Sequence, residues 1–188
     1  MVISTLVGSI SYPEEKEVLY SNPNERFFKV SLSFGACTIP AGCSEFLLRD
    51  IEGKVSVQGY LTSTYRNIDG KRRLFTYFQI IDITPVHEDV EDYDVIDLDV
   101  ILTKIGDFKI SERNGRAYLP LVGKCYTGYK RSAVIHMLAT ETLARQLKDA
   151  KVDDKLVATG HIHQRGEPIE IVLTEVKELT GKEEVEHA

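Results

Sequence analysis

The sequence predicts a mainly β protein built from two small five-stranded β-barrels in tandem, with one short helix in the second. Most apolar segments alternate with a period of two residues, as expected for strands with one buried face. In addition, Val55-Ser-Val-Gln-Gly-Tyr-Leu-Thr62 aligns with Leu156-Val-Ala-Thr-Gly-His-Ile-His163, glycine on glycine. Each segment is followed by a turn and another β-rich segment, and a repeat of about 100 residues indicates a duplicated domain.

The composition is typical of one or two globular domains. The chain has 188 residues, of which 43% are hydrophobic and 28% charged. We expect neither a membrane span nor a secretory signal, because no apolar stretch approaches ~20 residues and no basic flank precedes an apolar block. Cys37, Cys43 and Cys125 form no Cys-x-x-Cys pair, so we expect reduced thiols in a cytoplasmic protein. A zinc site made of Cys37, Cys43 and a histidine is much less favoured than three reduced thiols.

The charges are segregated along the chain, although the net charge is −6. Seven acidic and no basic residues lie between Glu88 and Asp99. Residues 66–73 carry four basic side chains against one acidic, and residues 104–131 carry seven against two. Because local potential decides whether a phosphate backbone is attracted, nucleic-acid binding is compatible with this acidic chain.

The first barrel is predicted for residues 1–88. Its strands are expected at Ile3–Ile10, Phe27–Phe34, Lys54–Thr62 and Leu74–Ile83. Asn67-Ile-Asp-Gly70 is typical of the turn that joins the last two strands.

Side-chain parity separates core from surface in the third of these strands. Val55, Val57 and Leu61 share one parity and should face the barrel core. Tyr60 has the opposite parity and is therefore expected on the outer face. In the fourth strand the parity stays open, because Phe75-Thr-Tyr-Phe78 places aromatic rings on both sides.

An acidic linker, residues 89–97, should lead into the second barrel, residues 98–180, which precedes a disordered tail, residues 181–188. Strands of the second barrel are expected at Leu98–Ile105, Tyr118–Val122, Ala133–Leu138, Lys155–Ile162 and Ile169–Val176.

One helix is predicted, from Ala139 to Ala150. Thr140 is a residue type that caps helices, and Glu141 would lie in the first turn. The apolar side chains expected on one face of this helix are Ala139, Leu143, Leu147 and Ala150.

Two segments resemble a known family. A valine-rich strand with a central glycine, a Tyr-x-x-x-Asp-Gly-Lys hairpin that starts at Tyr65, and an aromatic strand follow one another between Lys54 and Ile80. This order resembles the fourth and fifth strands of bacterial single-stranded DNA-binding proteins. Between Thr142 and Ile162, a helix leads into the equivalent glycine-centred strand, as it does in that family. The resemblance implies two tandem oligonucleotide-binding (OB) folds.

The chain departs from the family pattern in three respects. It has no tryptophan, although the family commonly stacks bases on Trp as well as Phe. It also lacks the glycine- and glutamine-rich linker and the acidic tip of the family's tail. These departures leave strand binding in place and leave the identity of any replication partner open.

The first hairpin is the main candidate site, because aromatic rings that stack on bases alternate there with cations that neutralise phosphates. The candidate residues are Tyr60, Tyr65, Arg66, Lys71, Arg72, Arg73, Phe75 and Tyr77. Aromatic residues are also favoured in strands for packing alone, and basic hairpin tips keep edge strands from pairing. Packing is therefore the alternative role for each of these side chains.

The second half contains a smaller candidate set: Lys124, Tyr126, Tyr129, Lys130, Arg131, His161 and Arg165. The segment Cys125–Arg131 is expected to be a loop or hairpin tip that contacts phosphate. His161 occupies the place of Tyr60 in the repeat, and with His163 it forms a His-x-His pair. Because no third ligand follows at a suitable spacing, metal binding is the least favoured role, and we expect neither a metal nor another cofactor.

The sequence therefore favours a protein that binds single-stranded DNA with little sequence preference, in DNA replication, recombination or repair. Enzymatic activity is not expected, because the chain lacks the common nucleotide-binding, hydrolase and metalloprotease motifs. The alternative is an OB-fold protein-interaction module, primosome-like or from a phage or mobile element, without intrinsic DNA binding. From the resemblance alone we expect a homodimer, which would present four barrels as a pseudo-tetramer.

Overall fold

The computed structural model describes residues 2–12, 17–22, 25–48, 51, 53–128, 131–163 and 169–181. The chain divides into two compact units, one covering residues 3–95 and the other starting at residue 96. The strands of the first unit are β1 (Ser4–Ser11), β2 (Val18–Asn22), β3 (Glu25–Phe34), β4 (Cys37–Ser44), β5 (Lys54–Ile68) and β6 (Lys71–Pro85). The elements from there on are β7 (Val95–Ile105), β8 (Lys109–Ile110), β9 (Ala117–Gly128), β10 (Arg131–Thr140), α1 (Glu141–Gln146), β11 (Lys155–His163) and β12 (Glu170–Thr180).

The first unit is a closed five-stranded barrel. Its strands follow the order β1-β5-β6-β4-β3, and β1 closes the barrel by pairing with both β5 and β3. All pairs are antiparallel except β4 with β6, which is parallel at Ala41–Phe78 and Gly42–Gln79. β2 pairs with β3 outside the barrel.

The second unit repeats this topology. The order β7-β11-β12-β10-β9 closes when β9 pairs with β7, and β10 lies parallel to β12. β8 pairs with β9 outside the barrel. Each barrel is the five-stranded Greek-key type of the OB fold, and the predicted fold class is confirmed.

The glycine-on-glycine repeat has a physical cause. The strand ladder shifts register by a β-bulge immediately before Gly59 and again immediately before Gly160. A Cβ on Gly59 would overlap the carbonyl oxygen of Gln79, and a Cβ on Gly160 would lie 2.6 Å from that of Val172. Both positions need a residue without a side chain, because the bulged strand approaches its partner too closely for one.

The β5–β6 hairpin extends well beyond the barrel, since each of its strands is 15 residues long. The turn consists of Asp69 and Gly70, with φ values of 51° and 74°. Two positive φ values at the centre of a two-residue loop are typical of the type I′ turn, whose twist matches that of the strands. The predicted turn at residues 67–70 is thus confined to its last two residues.

One barrel strand, β4, was not expected from the sequence, because Pro40 and Gly42 interrupt its apolar pattern. β4 pairs with β3 along its whole length, but with β6 only at two residues. A strand whose second edge is largely free of ladder hydrogen bonds can accommodate a proline. The edge strand β2 was not expected either.

The predicted helix is wrong at both ends. α1 covers only Glu141–Gln146, while Ala139 and Thr140 end β10. Ala139 is buried as the next inward residue of that strand, not as part of a helical face. None of the helical segments in the described part of the chain has the length and hydropathy needed to cross a membrane.

The acidic segment after β6 makes specific contacts with the first barrel. Val7 and Tyr93 exchange backbone hydrogen bonds of 2.8 and 2.9 Å. The Asp92 carboxylate lies 3.1 Å from the Lys54 ammonium and accepts a 2.6 Å hydrogen bond from the Gly35 N–H. Lys54, and then the Gly35 N–H, hold the pKa of Asp92 below its usual value. The division into two domains joined by a linker at residues 89–97 stays a prediction.

Candidate functional site

The last strand of the first barrel has buried side chains on both faces. Phe78 and Ile80 are in the core. Phe75, Tyr77 and Gln79 have the opposite parity, yet they are only 4%, 5% and 8% exposed. The rings of Phe75 and Tyr77 stack with centroids 6.0 Å apart and an interplanar angle of 24°. This settles the parity of β6, which the sequence left open. Phe78 faces the core, whereas Phe75 and Tyr77 form a second aromatic layer on the outer face.

Gly42 of β4 lies directly beneath this aromatic layer. The Gln79 side-chain amide donates a 3.2 Å hydrogen bond to the Gly42 carbonyl oxygen. A Cβ on Gly42 would lie 2.8 Å from the Tyr77 ring and 3.0 Å from the Gln79 side-chain oxygen. The missing side chain thus lets the Tyr77 ring lie directly on the neighbouring strand.

Two cations lie over the Phe75 ring. The Arg66 guanidinium is 4.5 Å from the ring centroid, and the Lys29 ammonium is 5.8 Å from it. Both distances fit cation–π contacts. The same cations are ion-paired with one carboxylate, because Glu17 lies 2.6 Å from Arg66 and 3.2 Å from Lys29.

These side chains define one surface, which we call the outer patch. Tyr60 lies beside Gln79 in the ladder and is half-buried, while Val55, Val57 and Leu61 are in the core, which confirms the parity predicted for β5. A groove of about 390 Å³ runs next to the patch, lined by Glu17, Val18, Leu19, Arg66 and Asn67. The outer patch consists of Lys29, Tyr60, Arg66, Phe75, Tyr77 and Gln79.

The predicted residues of the first hairpin do not form a single surface. Arg66 is opposite Arg73 and shares the parity of the outer patch. Tyr65 and Arg72 have the other parity, and the Arg72 guanidinium lies 4.1 Å from the centroid of the Tyr65 ring. Tyr65 is 60% exposed and Arg72 is exposed as well. The hairpin therefore presents one cation–aromatic group on each of its two faces.

The strand pairing shows what the second barrel has at the positions of the outer patch. Counting from the glycines, Tyr77 of β6 corresponds to Glu170 of β12 and Gln79 to Val172. The parallel pairs β4–β6 and β10–β12 align β4 with β10. In the strands that pair with these two, Lys29 of β3 corresponds to Pro120 of β9. The second barrel thus has an acid and a proline where the first has an aromatic ring and a cation.

An aromatic–basic pair of the second barrel lies elsewhere, on the β9–β10 hairpin. Tyr126 is 65% exposed, and the Lys124 ammonium lies 5.7 Å from its ring centroid. Both residues belong to β9, which continues to Gly128. The segment Cys125–Arg131, predicted as a loop or hairpin tip, begins as strand, because Cys125 to Gly128 continue β9 and pair with β10. We call Lys124 and Tyr126 the second-barrel pair.

His136 occupies the outer face of β10 between charged neighbours. It pairs with Glu170 of β12 in the ladder. Burial lowers the pKa of His136, Glu170 opposes this shift and Lys104 adds to it. His161 corresponds to Tyr60, as predicted, and is exposed.

The cysteines and histidines form no metal centre in the part of the chain that the structure describes. Cys37, Cys43 and Cys125 form no disulfide. Burial raises the pKa of the Cys125 thiol, which disfavours the reactive thiolate at neutral pH.

Several predicted residues belong neither to the outer patch nor to the second-barrel pair. Tyr129, Lys130 and Arg165 lie outside the described residues, and Arg131 begins β10. Lys71 and Arg73 are exposed at the tip of the first hairpin.

Sequence reasoning missed Lys29, Gln79 and Glu17. For Lys29 a signal existed, because it alternates with the inward-facing Phe28 and Val30. Glu17 gave no local signal, since its partners are 12 and 49 positions away in the sequence.

Comparison with known proteins supports the fold and does not assign a family. No protein-family model matches the chain, and no curated protein sequence matches it. The wild-type single-stranded DNA-binding protein from Thermus aquaticus is similar in structure, with a TM-score of 0.75 and 14% sequence identity over 95% of this chain and 92% of that one. A deletion mutant of the Thermus protein gives a TM-score of 0.75 and 14% identity over 93% of this chain and 92% of its own. The resemblance expected from the sequence is confirmed at the level of two tandem OB folds.

Proposed function

We propose that this protein binds single-stranded DNA with little sequence preference. The observation that carries the proposal is the outer patch, in which stacked aromatic rings and two cations share the outer face of an OB barrel. OB folds bind oligonucleotides on the face of their second and third strands, between the loops that flank it. Lys29 lies on the second strand of the first barrel, Gly42 lies on the third, and Arg66 lies in the long hairpin.

The chemistry of the patch matches what a single strand offers. Unpaired bases stack on aromatic faces, and each backbone phosphate is neutralised by Lys or Arg. Neither interaction reads base identity, so little sequence preference is expected. The second face of the hairpin, Tyr65 and Arg72, offers the same two groups, with Lys71 and Arg73 at the tip.

The likeness in fold to the Thermus protein, whose name states single-stranded DNA binding, also supports the proposal. A role in DNA replication, recombination or repair in the cytoplasm would follow from this activity. We further propose a homodimer, because the family resemblance implies four barrels in an assembly. Light scattering should then give twice the chain mass of 21.2 kDa. A mass equal to that of one chain would contradict it.

The direct test is binding to a labelled oligo-dT of about 35 nucleotides, measured by fluorescence anisotropy over a salt series. Binding should weaken steeply as salt increases and should exceed binding to a duplex of the same length. Lys148→Gln removes an exposed cation beyond α1 that belongs neither to the outer patch nor to the second-barrel pair, so this variant should bind like the wild-type chain. If the wild-type chain does not bind the oligonucleotide at low salt, the proposed function is wrong.

A protein-interaction role is the second candidate, and one observation favours it for the second barrel. At the position of Tyr77 this barrel has Glu170, which would repel a phosphate backbone. If Lys124→Gln together with Tyr126→Ala leaves oligo-dT binding unchanged, the second barrel does not contact DNA and a protein partner is the better assignment for it.

A further inference from the structure

Glu17 occupies the cations of the outer patch in a manner that a phosphate group could reproduce. One carboxylate oxygen lies 2.6 Å from the Arg66 guanidinium and the other lies 3.2 Å from the Lys29 ammonium. A backbone phosphate likewise has two unesterified oxygens with a shared negative charge, so it could bridge the same two cations.

The two ion-paired cations also help to cover the Phe75 ring. Arg66 and Lys29 both lie over that ring, which is only 4% exposed. While the carboxylate holds the cations in place, a base cannot stack on Phe75. A ligand that draws the two cations away would therefore gain an aromatic face as well as two charges.

The carboxylate is held weakly enough to be exchanged. The Glu17 side chain is 47% exposed and its partners are 20% and 34% exposed, so both ion pairs are screened by water and salt. Glu17 directly precedes β2, a strand that pairs only with β3 among the described elements, and Glu17 also lines the groove beside the patch. Movement of this side chain needs no rearrangement of the barrel.

We propose that Glu17 is an intramolecular competitor of the DNA phosphate, which covers the outer patch in the free protein and is displaced when a single strand binds. This proposal rests on the proposed function and specifies how the same surface is regulated. The paired carboxylate lowers the affinity for DNA. It also lowers the number of cations that can neutralise DNA phosphates and so release the counterions bound to them. It also keeps the Phe75 ring covered when no strand is bound.

The test is Glu17→Gln, which keeps the shape and removes the charge. Its oligo-dT affinity at low salt should rise about 2- to 30-fold, the range expected when two exposed ion pairs no longer compete. The matched control is Asp82→Asn, which removes the same charge from an exposed position of β6 outside the patch. Thermal unfolding of both variants checks that the barrel is intact.

A double-mutant cycle separates competition from general electrostatics. In a Lys29→Gln and Arg66→Gln background, Glu17→Gln should have no more effect than Asp82→Asn, because the two cations are already absent. If Glu17→Gln equals Asp82→Asn in the wild-type background, or weakens binding, the competitor model is overturned while the proposed function stands. If neither the wild-type chain nor Glu17→Gln binds, both proposals fail.

Discussion

The two barrels share a topology and a glycine-dependent bulge, but each extends a different hairpin. The first barrel extends β5–β6, with 15 residues in each strand, and the second extends β9–β10, with 12 and 10. The aromatic–basic groups follow these extensions: Phe75, Tyr65 and their cations in the first barrel, Tyr126 and Lys124 in the second. The topology thus sets where a surface can form, and the side chains at equivalent positions set its chemistry.

The aromatic rings of the two barrels differ in exposure as well as in position. Phe75 lies under two paired cations, whereas Tyr126 is exposed. We therefore expect the first barrel to supply most of the salt-dependent part of DNA binding and the second to supply a stacking contact that salt affects little. Two binding experiments test this expectation, and two stability experiments probe the outer faces of the two barrels.

The largest effect on the salt dependence is expected from Lys29→Gln combined with Arg66→Gln, which removes the cations of the outer patch. The salt dependence, plotted as log K against log salt, should become shallower by about 1.4, and the affinity at low salt should fall about tenfold, because each lost phosphate contact accounts for about 0.7 on a single strand. Lys124→Gln, which removes one cation of the second barrel, is the comparison. A larger change for Lys124→Gln would reverse the assignment of the two barrels.

Tyr126→Ala should reduce the affinity for oligo-dT by about 1–3 kcal/mol without changing the salt slope, because it removes a stacking face and no charge. Tyr126→Phe retains the ring and should bind like the wild-type protein. The measurement is the same anisotropy titration. Equal affinities for all three proteins would show that this ring does not stack on DNA.

Gly42→Ala should lower the free energy of unfolding by about 1–3 kcal/mol, because the added methyl group would displace the Tyr77 ring from β4. Gly181→Ala is the control, since its Cβ would meet no heavy atom closer than 4.0 Å. Chemical denaturation followed by circular dichroism measures both. Unchanged stability in Gly42→Ala would mean that the aromatic layer can move without cost.

The smallest effect concerns pH. Burial lowers the pKa of His136 below the ordinary value of 6.5, so the unfolded chain binds a proton more readily than the folded one. This contribution to stability is complete above pH 6.5 and is lost as the pH falls from 6.5 towards the folded pKa. His136→Gln should therefore lose less stability than the wild-type protein between about pH 7.5 and 5. A loss of stability in His136→Gln as large as that of the wild-type protein would contradict this prediction.

Local pattern was sufficient to predict two β-barrels and insufficient for the helix and β4. Two-residue alternation and the glycine repeat predict two barrels because burial on one face of a strand imposes that period. The alternation of β10 continues through Ala139, which a helical reading of residues 139–150 also fits. In β4, Pro40 obscures a strand that is held mainly by its neighbour β3.

The sequence by itself determined most of the strands, the turn within residues 67–70 and the outward position of Tyr60, because each depends on residues close to one another in the chain. Only the tertiary structure decided which rings are covered and which cations are paired. Glu17 and Lys29 come from one part of the chain, Arg66 and Phe75 come from the β5–β6 hairpin, and the four meet only when the barrel forms. Their ion pairs and their exposure depend on that meeting, since a carboxylate between two cations has no counterpart in the extended chain.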